Sequence, residues 1–185
     1  MKKAFTMIEL VFVIVVIGIL AAVIVPSTRT NPTQEAAVEL QSHIRYTQHL
    51  ALTDDKYGTG DWYKNRWQVV IEDENLTIQS NNGARVAVDP QDSSRAYSTD
   101  YGEKYRVLFT YNNNCPEVNN VFYLSFDHLG RPLTGDLNNY TGPYTSTTTG
   151  KGLLTANCDI TITGDDGEFV LVTILSETVY VSSAF

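Results

Sequence analysis

The residues that invite a chemical reading in this 185-residue chain are two histidines, an Asp-His pair, an acidic turn and an acidic sequon. His43 and His49 lie six positions apart, about 240° around a helix of 3.6 residues per turn. A straight helix cannot aim both at one metal, so they read as exposed helix-face residues. Asp127-His128 has the composition of half a catalytic pair, yet neighbours on a strand point to opposite faces. No Gly-x-Ser-x-Gly elbow accompanies it, and Gly130 marks the segment as a turn. Gly164-Asp165-Asp166-Gly167-Glu168 offers the oxygen ligands that calcium takes. Asp166-Gly167 between two alternating strands is already accounted for as a hairpin turn. These residues predict no enzyme, no catalytic residue, no cofactor and no metal site. Asp73-x-Asn75-x-Thr77 fits an extended acceptor sequence for bacterial N-glycosylation and falls on a predicted exposed turn, which makes Asn75 a candidate modification site.

One acid stands apart from all of these. Glu9 interrupts an apolar run that extends from Ala4 to Val25. A carboxylate inside a membrane segment costs about 2.5–3.5 kcal/mol. A bare anchor gains nothing from keeping it, whereas a segment that must later pair its acid with a positive charge does. A helix over residues 4–25 would be about 33 Å long, against a hydrocarbon core of roughly 30 Å, so the stretch predicts a single transmembrane helix. Lys2 and Lys3 precede it, which places the N-terminus in the cytoplasm and the rest of the chain outside. A secretory signal peptide fits less well. The unbroken run from Leu10 to Val25 exceeds the usual apolar region of roughly 7–15 residues, and no Ala-x-Ala site follows. A plain signal anchor is the competing reading.

The formal charge is −8, and loss of Lys2 and Lys3 carries it to −10. Such a balance repels nucleic acid backbones and anionic lipid. Cys115 and Cys158 are the two cysteines of the chain. An even pair in an exported segment reads as a disulfide, with two buried free thiols as the alternative.

The run Lys3-Ala4-Phe5-Thr6-Met7-Ile8-Glu9-Leu10, with the apolar stretch to Pro26, resembles the start of a type IV prepilin. That family comprises the pilins of type IV pili and the pseudopilins of type II secretion. The resemblance implies cleavage by a prepilin peptidase between Ala4 and Phe5, where the family usually has glycine before the cut. It also implies methylation of the new Phe5 amino terminus and pairing of Glu9 with that ammonium in a neighbouring subunit. Pro26 matches the family's helix-kinking proline. A helix with Arg45, then Trp67-Gln68-Val69-Val70, then Ser125-Phe126-Asp127-His128-Leu129-Gly130-Arg131 is similar to the H-type minor pseudopilins. The implied function is a minor pseudopilin or minor pilin of a type II secretion or type IV pilus machine, driving secretion or DNA uptake. A major pilin forming a surface fibre and a membrane-anchored binding domain that never polymerises are the alternatives. Implied partners are other pilin or pseudopilin subunits, the prepilin peptidase, an inner-membrane assembly platform and the membrane. The implied location is the bacterial inner membrane, with the head periplasmic, and then a periplasmic or surface filament. Gly130-Arg131-Pro132 falls short of the Gly-Arg-x-Arg stretch of DNA-binding minor pilins, so no nucleic-acid contact is expected.

The elements follow from pattern. The resemblance implies a leader at residues 1–4 and an assembly role for 5–25; pattern predicts a transmembrane helix at 5–25, its amphipathic continuation at 26–54 and a β-rich head at 55–185. Asn31-Pro32 is a helix start, with Pro32 near the first helical position. Ala37, Leu40, Ile44, Thr47 and Ala51 form one apolar stripe. Strands are predicted at Arg66–Ile71, Leu76–Ser80, Ala84–Val88, Lys104–Tyr111, Val121–Phe126, Leu153–Thr163, Phe169–Leu175 and Thr178–Ser182. Asn82-Gly83 signals a type I′ hairpin. Asp89–Gly102 and Gly135–Gly152 read as surface loops. Helix first and strands afterwards predicts an α+β fold, a long N-terminal helix packed on an antiparallel β-sheet or sandwich.

Overall fold

A computed structural model describes residues 6–24, 31–54, 56–58, 60–81, 83–90, 92–115, 117–147, 152–176 and 181–184. They fall into two compact units, divided in sequence between Asn31 and Pro32. The first contains helix α1, Met7–Ile24. At 1.5 Å per residue its 18 residues span about 27 Å, short of a hydrocarbon core of roughly 30 Å. Among the described residues no helix is long and apolar enough to cross a membrane. The expected transmembrane helix, and with it the single-pass inner-membrane location, is therefore corrected. Ala4, Phe5 and Pro26 lie outside the described residues.

The second unit opens with helix α2, Pro32–Thr53, and continues into the strands. Pro32 takes the first helical position, where its missing N–H costs nothing. The 3,4 spacing of apolar residues buries Ala37, Leu40, Ile44, Thr47 and Ala51, joined by Thr33, Ala36 and His43. In chain order the strands are β1 Gln68–Glu72, β2 Asn75–Ser80, β3 Arg85–Val86 and β4 Ser98–Asp100. A short helix α3, Tyr101–Tyr105, leads to β5 Val107–Tyr111, β6 Glu117–Val118, β7 Val121–Phe126 and β8 Pro132–Thr134. Then come β9 Tyr140–Gly142, β10 Thr145–Ser146, β11 Gly152–Leu153, β12 Cys158–Gly164, β13 Phe169–Ile174 and β14 Val181–Ala184.

These strands form two antiparallel sheets. The larger runs β3-β2-β1-β7-β8-β11-β10-β9, with β4 on β2 and β6 on β7; the smaller runs β14-β13-β12-β5. Helix α2 lies against β12, β13 and β14 of one sheet and β7 and β1 of the other. One core joins Leu40 and Ile44 to Val69, Ile71, Leu76, Ile78, Phe122 and Leu124, and to Ile160, Ile162, Val170 and Val172. Strand β1 sits between β2 and β7, with Gln68 to Ile71 all buried. A smaller cluster gathers Leu133, Leu137 and Tyr140.

Three expectations need correction here. Lys104 and Tyr105 end α3 instead of starting a strand, because Asp100 caps it by accepting from the Glu103 N–H at 2.8 Å. Leu153–Thr163 is two strands, not one, since the chain leaves the large sheet after β11 and enters the small sheet at Cys158. The two supposed loops carry β4 and, in the second, a 3-10 turn at Leu137–Asn139 with β9 and β10. Asn82 lies outside the described residues; its neighbours Asn81 and Gly83 both have positive φ.

Candidate functional site

Helix α1 carries the acid that the sequence singles out. The Thr6 carbonyl accepts backbone bonds from Glu9 at 3.1 Å and Leu10 at 3.3 Å, so Thr6 immediately precedes the helix and Glu9 falls in its first turn. A carboxylate there is favoured by the helix dipole. Thr6-x-x-Glu9 is also the spacing of a capping box, a signal that sequence reasoning passed over. Glu9 itself is exposed. From Met7 to Leu20 twelve large apolar side chains are exposed as well, distributed on every face of the helix. A helix apolar all round is stable in water only when something covers it.

Helix α2 presents a second group. His43, expected on an exposed face, is 2 % exposed. Its Nδ1 lies 3.0 Å from the Tyr101 hydroxyl and its Nε2 3.6 Å from Glu39. His49 stays exposed, away from this group. Burial pulls the His43 imidazole down to about 4, against the pull of Glu39. Burial by itself would raise the Glu39 carboxyl, but hydrogen bonds from Lys104 and Tyr105 and the Lys104 charge outweigh it and hold it below its ordinary value. Burial pushes the Tyr101 hydroxyl well above its usual range. The arrangement holds α3 against α2. A buried, neutral histidine whose ring is occupied by Tyr101 has no open side for a substrate.

A third group lies where Trp67 enters β1. Asp54, just past α2, accepts from the Trp67 indole at 2.9 Å, from Lys56 at 2.5 Å and from Arg85 at 3.5 Å. Arg66 is 4 % exposed, its guanidinium 4.8 Å from the Trp62 ring and 5.3 Å from Tyr144. It donates to the Pro143 carbonyl at 2.6 Å, but its Nε and Nη2 make no hydrogen bond to the protein. Beside it Asp127 is fully buried. Its Oδ1 accepts from the Leu129 and Arg131 N–H groups, at 2.9 and 2.8 Å, and its Oδ2 from Arg131 Nε at 2.8 Å. Gly130, with φ 79°, lets this turn close. Asp127 thus folds a turn, while His128 is exposed.

The remaining candidates separate. Cys115 and Cys158 form a disulfide with both residues buried, tying the segment after β5 to the start of β12. Asn75 is exposed at the start of β2 and accepts from the Ser98 hydroxyl at 3.0 Å. Gly164–Glu168 is the β12–β13 turn, closed by Gly164 N–H to Glu168 O at 2.9 Å. Among the described residues no group of three or more His, Cys, Asp or Glu is placed to hold a metal ion. No family model, curated protein or solved structure matches this chain.

Proposed function

We propose that this chain is a filament subunit of the type IV pilin and pseudopilin kind, and within that kind a minor subunit. The observation that carries the reading is α1: twelve exposed large apolar side chains and one acid, Glu9, in the first turn. Covering each such side chain contributes about 1.5–3 kcal/mol. Contiguous exposed apolar surface of this extent marks an interaction site. Bundled copies of the same helix supply the cover. Glu9, enclosed with the amino terminus of Phe5 in a neighbouring copy, then sets the axial register, since an acid in such a bundle is stable only when paired. The resemblance of residues 3–26 to prepilins supports cleavage between Ala4 and Phe5 and methylation of Phe5.

Glu9→Val should leave cleavage and methylation intact and abolish incorporation into filaments, with Glu9→Gln between the two, as read by quantitative mass spectrometry of purified filaments. The capping-box role gives a different pattern, because Glu9→Gln preserves a capping box. Wild-type incorporation of Glu9→Val would sink the pairing.

A further inference from the structure

The chain holds three Asn-x-Ser/Thr acceptor triplets, starting at Asn31, Asn75 and Asn139. Asn31-Pro32-Thr33 has proline in its middle position, which the acceptor sequence excludes. Asn139-Tyr140-Thr141 is tied into the segment after β8. Tyr140 is buried and donates its hydroxyl to the Thr134 carbonyl at 2.8 Å, while the Asn139 carbonyl accepts from the Thr147 N–H at 2.8 Å. Asn75-Leu76-Thr77 is the triplet with an acid, Asp73, two positions before its asparagine, which completes the extended acceptor sequence.

Local structure presents that asparagine. Asp73 and Glu74, with φ of 45° and 61°, make the two-residue tip between β1 and β2, and Asn75 opens β2 opposite Glu72. Successive residues of a strand point to opposite faces. Leu76 and Ile78 accordingly enter the core, while Asn75 is exposed and Thr77 half-buried on the face away from it. Both line an open groove with Glu72, Asp73, Ser98 and Asp100. Asn75 Oδ1 accepts from the Ser98 hydroxyl at 3.0 Å, and its amide nitrogen, the atom to which a glycan attaches, makes no hydrogen bond to the described residues. A sugar on that nitrogen leaves Leu76 and Ile78 where they are. The buried Cys115–Cys158 disulfide belongs to an oxidising compartment outside the cytosol, which is also where asparagine-linked sugars are found.

We propose that Asn75 is an N-glycosylation site, recognised through its extended acceptor Asp73-x-Asn75-x-Thr77. The donor is an oligosaccharide carried on a polyprenyl diphosphate. A bond forms between the Asn75 amide nitrogen and the anomeric carbon as the bond from that carbon to the diphosphate oxygen breaks. The lipid diphosphate leaves, and the amide proton passes to a base of the transferase. In the folded chain β2 is paired at Asn75 on both flanks, with Glu72 of β1 and Asp100 of β4. A strand held on both sides cannot bend into an enzyme, so transfer precedes the pairing of β2. The attached glycan is bulky and hydrophilic and keeps the hairpin end at the solvent surface. This goes beyond the filament reading and does not rest on it.

The test is peptide mass spectrometry of the full-length chain isolated from the cells that make it naturally, with fragmentation that leaves a sugar on its residue. Tryptic cleavage after Arg66 and Arg85 releases peptide 67–85, which contains Asn75. The expected result is a sugar-bearing form of this peptide with the added mass on Asn75, and a bare Asn139. Thr77→Val, which keeps a β-branched residue in β2, should abolish the modification, and Thr77→Ser should keep it. Asp73→Asn, suited to the left-handed turn position, should abolish it too. Peptide 67–85 found only without sugar would overturn the proposal and leave the filament reading in place. Sugar that persists in Thr77→Val or Asp73→Asn, or that sits on Asn139 with Asn75 bare, would overturn it as well.

Discussion

Asp127 shows how a residue that looks catalytic in sequence becomes a structural keystone. Its carboxylate is enclosed and gathers two backbone N–H groups and the Arg131 side chain into one turn. Asp127→Ala should cost about 3 kcal/mol by chemical denaturation, because buried donors lose their acceptor; a loss below 1 kcal/mol would contradict this role. His43 makes a pH-dependent prediction. Its imidazole is held down to about 4 in the fold, against an ordinary value of 6.5. The unfolded chain therefore binds the proton first, and stability present above pH 6.5 is lost as pH falls toward 4, by up to about 3 kcal/mol. Glu39 and Asp89 favour the charged form and Lys104 opposes it, and the value of about 4 is the balance of these against burial. Glu39 itself, held low, contributes stability that goes only at still lower pH. His43→Gln should flatten the slope between pH 6.5 and 4 in urea titrations; an unchanged slope would assign the loss to other groups.

At the scale of elements, the disulfide and the strand ends carry the lesson. Cys115 and Cys158 are 43 positions apart, and in the chain-entropy model closing that loop stabilises by about 4 kcal/mol. Cys115→Ser with Cys158→Ser should lower the denaturation midpoint accordingly, and an unchanged midpoint would mean that the unfolded chain is already compact. Elements with a strong period were legible. The α2 stripe from Ala37 to Ala51 and the strands β1, β2, β7 and β13 sit within two residues of where spacing puts them. Short-range signals were legible but overlooked: Asp100-x-x-Glu103 marks the start of α3, and an aromatic, β-rich neighbourhood masked it. What the sequence could not carry is the change of sheet between β11 and β12, which depends on which distant strand lies alongside. His43 belongs to the same class. It lies one position before Ile44 in the stripe, and the approach of Tyr101 from α3 and of the Tyr97 ring, 4.7 Å away, encloses it.

For the whole molecule, two units share the work. Residues 32–185 hold the core that joins α2 to both sheets, and α1 exposes an apolar surface with one acid near its start. A run legible as transmembrane by length alone yields a described helix of 18 residues, about 27 Å, too short for that purpose. Its apolar surface nonetheless needs cover, which the proposed bundling of copies would supply. The central claim, that this chain is processed and built into a filament, is tested most directly by mass spectrometry of the N-terminal peptide in purified filaments. The account predicts a low-abundance species whose first residue is N-methylated Phe5. A chain that keeps an intact Met1 and never enters filaments would contradict it.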